Sequence, residues 1–135
     1  MKPFRLTAPV PSEHSEQARV ISWSQSPHVR RLYPEAQNIF AIPNGSKRDV
    51  VTASLLKAEG VQRGIPDLYL PAACGGYHGM FLEMKKRTGG RLSEYQKVWI
   101  SRLQSAGYAV AVCFGAAEAI KTIENYLSLK GKNNE

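Results

Sequence analysis

The sequence predicts an α/β chain with a central sheet flanked by helices. Segments with apolar residues at helical spacing alternate with short β-branched or aromatic runs along the whole chain, the pattern of helices layered on a sheet. Gly, Pro and Asn fall between these segments, where turns are needed. The chain has 135 residues, 43% of them hydrophobic and 21% charged. That is the size of one domain, able to bury about two-thirds of its unfolded surface without staples. We therefore expect a single domain over 1–135, with a core at about 12–128 and frayed ends.

The elements are predicted in order. Ser12 caps a first helix reaching about Ser24, with Glu13 in the first turn where the helix dipole favours negative charge. Glu16, Val20 and Trp23 share one face of it, and Ser26-Pro27 ends it. The run 38–42 reads as a strand before the turn Pro43-Asn44-Gly45. A second helix is expected from about Arg48 to Glu59, with Val51, Leu55 and Ala58 as its apolar spacing and Gly60 as its C-terminal cap. Gly64 to Pro71 reads as a short strand between prolines. Residues 80–85, Met80 to Lys85, alternate as a strand. Ser93 caps a helix with an inner stripe of Trp99, Ile100, Leu103 and Ala106, closed by Gly107. Tyr108 to Phe114 reads as a buried strand. Ala116, Ile120, Ile123 and Leu127 mark the last helix.

Composition excludes several classes. No apolar run approaches the roughly 20 residues of a membrane span, and the start of the chain lacks the apolar stretch of a secretion signal. A cytoplasmic location, in a bacterium or a phage-infected cell, is expected. Cys74 and Cys113 have no CxxC spacing, so they form neither a zinc framework nor a disulfide scaffold. The motifs of serine hydrolases, P-loop enzymes and Rossmann oxidoreductases are missing. With 18 basic against 11 acidic residues, the net charge is +7. A basic surface of that size points to polyanions.

The chemistry-bearing cluster is Asp67 with Glu83-Met84-Lys85. Strand alternation turns Glu83 and Lys85 to one face and Lys86 to the other. If the two strands pair antiparallel with Leu70 opposite Met80, Asp67 falls opposite Glu83. Two carboxylates and a lysine then meet at one spot. Paired carboxylates suit Mg²⁺, leaving water positions open. Such an ion activates water and neutralises charge on a scissile phosphate, and a lysine beside it orients the water or stabilises the developing charge.

Around this cluster the blocks 41–45 (Ala41-Ile42-Pro43-Asn44-Gly45), 56–61 (Leu56 to Val61), Arg63-Gly64-Ile65-Pro66-Asp67-Leu68, Leu82-Glu83-Met84-Lys85 and Leu92-Ser93-Glu94-Tyr95-Gln96 resemble the VRR-NUC family. These are virus-type replication-repair nucleases of the PD-(D/E)xK superfamily. The blocks keep the family's order and spacing from about Glu16 to Leu127. The resemblance implies a restriction-endonuclease-like core and metal-dependent phosphodiester hydrolysis with Mg²⁺ or Mn²⁺. It implies metal ligation by Asp67, Glu83, the Met84 backbone carbonyl and, from the first helix, Glu16. It makes Lys85 catalytic and places Gln96 near the active site.

Some roles have rivals. Glu13 competes with Glu16. Ser93-x-x-Gln96 is also a capping box, and one side chain cannot easily serve both cap and site. His78 reads as a loop residue, and Tyr95 and Trp99 as helix packing. Lys86, Arg87 and Arg91, with Lys47 and Arg48 beyond the first turn, are candidates for DNA phosphates. Stand-alone phage members of the family resemble junction-cutting dimers. A homodimer preferring branched DNA is therefore expected, paired through the first or last helix. The rival function is a nucleic-acid-binding module on a nuclease fold that no longer cuts.

Overall fold

The computed structural model describes residues 9–44 and 50–130. Its sheet has four strands in the order β1-β2-β3-β4: β1 (Phe40–Ala41), β2 (Leu68–Leu70), β3 (Met80–Lys85) and β4 (Ala109–Phe114). The first three pair antiparallel, and β4 runs parallel to β3. A parallel neighbour needs a crossover, and the helix α4 (Glu94–Ser105) supplies it. The expected mixed sheet flanked by helices is the fold observed.

The other helices are α1 (Glu13–Ser24), α2 (Pro27–Leu32), α3 (Val50–Ala58) and α5 (Ala116–Leu127), with a 3₁₀ turn over Pro34–Asn38. Ser12 caps α1 as expected, its hydroxyl accepting from the Ser15 amide at 3.1 Å. Ser26-Pro27 ends α1 but also opens α2, which the sequence reading passed over. Ser26 is the cap of α2, and Pro27 sits in its first turn, where a missing N–H leaves no helical bond unmade.

One face of the sheet holds the core. Leu68, Leu70, Met80, Leu82 and Met84 are buried there with Val20 of α1 and Ile123 of α5. By strand alternation the opposite face carries Tyr69, Phe81, Glu83 and Lys85. Tyr69 meets Phe40, Phe81 and Tyr108 in ring contacts, and α4 covers the β4 side.

Three expectations about burial are corrected. The strand read as buried, β4, is the sheet's edge and half-exposed, with only Cys113 fully buried. An apolar run reports composition, not how many neighbours a strand has. The predicted apolar stripe of α3 faces outward: Val51 is 70% and Leu55 61% exposed. Gly60 does close that helix, at φ +98°. On α4, Leu103 is buried but Ala106 is exposed.

Candidate active site

The hairpin register positions the carboxylates. Leu70 pairs with Met80, Tyr69 with Phe81 and Leu68 with Leu82. One step further along the same ladder puts Asp67 opposite Glu83. Asp67 stands at the bend before β2, tied to the sheet by its carbonyl, which accepts from the Ile42 amide at 2.8 Å. Its carboxylate is held on both sides. Oδ2 accepts from the Met84 amide at 2.7 Å, and Oδ1 from Asn44 Nδ2 at 3.0 Å.

Glu83 is 2% exposed. Its Oε1 accepts from Gln96 Nε2 at 2.8 Å and lies 3.7 Å from Lys85 Nζ. Its Oε2 is buried without a hydrogen-bond partner. Burial is the main force pushing the Glu83 carboxyl up to about 8, and the negative charge of Asp67 is the next; Lys85 offsets only part of this. Asp67 is also raised, again chiefly by burial, against the opposing bond from Met84. A buried carboxylate beside a half-buried one sets acceptor against acceptor. The two need a shared proton or a cation between them.

Gln96 reaches this pair from the first turn of α4. Its Oε1 accepts from the Ser93 amide at 2.9 Å and from Lys85 Nζ at 3.0 Å, while Nε2 serves Glu83. The expectation that one side chain could not be both cap and site residue is corrected. The cap uses only the amide's oxygen, so its NH₂ is left for the carboxylate. Gly90 leaves room for this lysine: a Cβ there would lie 2.9 Å from Lys85 Cβ.

Glu16, expected at the cation with Asp67 and Glu83, is engaged by Arg87 in this structure. Glu16 is 1% exposed, and both its oxygens face Arg87: Oε2 accepts from Nε at 2.9 Å and Oε1 from Nη2 at 3.1 Å. This bidentate partner holds the Glu16 carboxyl below its ordinary value, helped by the Ala116 amide at the start of α5. The α1 charge felt at both Asp67 and Glu83 is that of Glu13, which raises each. Arg87, read as a phosphate contact, is therefore first a partner to Glu16. Lys86 and Arg91 are exposed. Lys47 and Arg48 lie outside the described residues.

One residue was missed as a site component. Asn44 stood only as a turn residue, because nothing local shows that it reaches Asp67 across the sheet. Met84, expected at the site through its carbonyl, also reaches Asp67 through its N–H. Among the described residues no cluster of three or more His, Cys, Asp or Glu could cage an ion. A hard cation that keeps its waters still fits: Asp67 and Glu83 are oxygen donors, and an ion between them would take the place of the proton that otherwise links Glu83 Oε2 to Asp67.

Comparison with known proteins agrees with this geometry. A family model described as the VRR-NUC domain matches residues 6–117. A solved structure described as a "VRR_NUC domain protein" is similar with a TM-score of 0.72 and 30% sequence identity, over 90% of this chain and 92% of its own. No curated protein matches the chain.

Proposed function

The chain belongs to the VRR-NUC family of nucleases, and on that premise we propose that it is a Mg²⁺- or Mn²⁺-dependent DNA endonuclease. The observation that carries the reading is Glu83, a fully buried carboxylate with one oxygen fixed by Gln96 and the other orphaned beside Asp67. Such an arrangement is strained as a packing element and apt as half of a cation site. A non-cleaving binding module has no use for a buried carboxylate set against a second one.

Asp67 and Glu83 would hold the cation, and the Met84 carbonyl is a further donor on the same strand. When bound, the ion supplies Lewis acidity and charge neutralisation at the scissile phosphate. Lys85 Nζ orients the attacking water and stabilises the charge that gathers on the phosphoryl oxygens. Gln96 does not touch the reacting atoms. It holds Lys85 by one end and Glu83 by the other, so it is a positioning residue. Asn44 does the same for Asp67, fixing the carboxylate's rotation.

The working unit in this reading is a homodimer that prefers branched DNA such as a four-way junction. One small site cannot cut two strands together, whereas a two-fold pair of sites matches the symmetry of a junction.

The test is cleavage of labelled branched and linear DNA with and without Mn²⁺, joined to calorimetry. Lys85→Ala and Asp67→Ala should each abolish cleavage while staying folded. Lys85→Ala should still bind Mn²⁺, and Asp67→Ala should not. Unchanged Mn²⁺ affinity in Asp67→Ala, or no cleavage of any DNA by the unaltered chain, would overturn the reading.

A further inference from the structure

Between α3 and α4 runs a groove of about 790 Å³ that the catalytic cluster does not use. Among the described residues its lining holds three cations, Lys57, Arg63 and Arg102, along with the rings of Tyr95 and Trp99. Glu94 is the one acid among the described lining residues, and its carboxylate is paired with Lys97 at 3.1 Å. Tyr95 is 53% exposed. The Arg63 guanidinium sits 4.4 Å from the Tyr95 ring centre, and that of Arg102 5.1 Å from Trp99. Each ring is thus backed by the guanidinium of a surface arginine rather than by packed core, and a flat π surface can stack on the ring by displacing that arginine or on the ring's other side.

Two lining residues, Arg63 and Tyr95, stand next to the active site in the chain. Arg63 lies four residues before Asp67, in the loop that packs on α4: a Cβ on Gly64 would lie 2.5 Å from the Tyr95 carbonyl carbon. Tyr95 is the neighbour of Gln96, which holds Lys85 and Glu83. A strand leaving the cleavage centre along α4 would enter this groove.

We propose that the groove binds an unpaired stretch of the substrate strand, its bases stacking on Tyr95 and Trp99 and its phosphates meeting Lys57, Arg63 and Arg102. The positive lining selects a polyanion over a second copy of a chain that itself carries +7. The rings select unpaired bases, because bases within a duplex have no free face to offer. The volume suits a few nucleotides and not a duplex. The proposal rests on the nuclease reading for the identity of the strand.

The experiment is binding of a short fluorescent oligothymidylate, and of a duplex of equal length, in EDTA so that cutting does not intervene. The unaltered chain should bind the single strand with quenching of tryptophan fluorescence. The log–log salt slope should be about −2, as three phosphate contacts give on single strands. Trp99→Ala should weaken single-strand binding about tenfold, the loss of one stacked base, and abolish the quench. Arg63→Ala alters only an exposed side chain and should weaken binding and flatten the salt slope. It decides the matter if Trp99→Ala does not fold. Unchanged single-strand affinity in Arg63→Ala overturns the proposal. So does a shift of particle mass, rather than of DNA affinity, which would assign the groove to a second copy. Failure of the nuclease reading shows separately, as absence of cleavage in Mn²⁺ by a chain that still binds the strand.

Discussion

Glu83 makes the site sensitive to pH without any help from histidine. Its carboxyl, pushed up to about 8 by burial and by Asp67, holds its proton more tightly folded than unfolded. The stabilising contribution is therefore complete below the ordinary carboxylate range and is lost as pH rises through about 8. The cation-free chain should lose stability between pH 5 and 8, and Glu83→Gln, which needs no proton, should not. Urea midpoints across that range in EDTA check this; parallel curves for the two chains would refute it. At Gln96 two roles separate by substitution. Gln96→Ala removes the side-chain bond to the Ser93 amide while leaving the Ser93 cap itself, a loss of about 1 kcal/mol, and also releases Glu83 and Lys85. Gln96→Glu keeps an oxygen for the cap but puts a third carboxylate against Glu83. Both should lose most single-turnover cleavage, and a Gln96→Ala chain that cuts at the unaltered rate would reduce the residue to a cap. Glu16→Gln should lower the urea midpoint while leaving Mn²⁺ affinity unchanged, since its partner is Arg87. A clear loss of Mn²⁺ affinity would return Glu16 to the cation.

At the scale of elements, what the sequence shows depends on whether the signal is local. The caps Ser12 and Ser93 and the stop at Gly60 are readable because each acts within a few residues. The Leu70–Met80 pairing is readable because its alternation admits one sensible register. The edge position of β4, the outward face of α3 and the joining of Glu16 to Arg87 across 71 residues are set by what packs against what. No spacing rule encodes that. Gly115 is a case of both. It has φ +93°, and a Cβ there would lie 2.6 Å from Glu16 Oε2 and 2.9 Å from Arg87 Cγ. Glycine is needed at the β4–α5 turn for its conformation and for the close approach of that ion pair. With ψ at 163° Gly115 lies in a region essentially reserved for glycine, so Gly115→Ala should destabilise the chain by about 1–3 kcal/mol from the backbone alone, more if the pair is displaced. A melting temperature equal to that of the unaltered chain would show that the turn can rearrange.

For the whole molecule, the unmatched feature is α3. Val50, Val51 and Leu55 are 82%, 70% and 61% exposed, and α3 buries no residue of its own. Val51 and Leu55 are four apart and share a face, turned away from the groove-lining Ala53, Leu56 and Lys57. An apolar helix face left in water is the ordinary mark of an association surface, and most small oligomers close by a two-fold axis through one such patch. That moves the expected pairing from the first or last helix to α3, and it leaves the groove on the other side of α3 open to DNA. Light scattering at micromolar concentration should therefore give twice the 15.0 kDa of one chain. Leu55→Glu, which places a charge against its symmetry mate, should give a single chain that still binds Mn²⁺ at Asp67 and Glu83. That monomer should nick linear DNA but lose its preference for a four-way junction over duplex, because only paired sites can engage two strands of a junction together. An unaltered chain that remains at 15.0 kDa and still favours the junction would separate branch selection from pairing, and the homodimer would have to be given up.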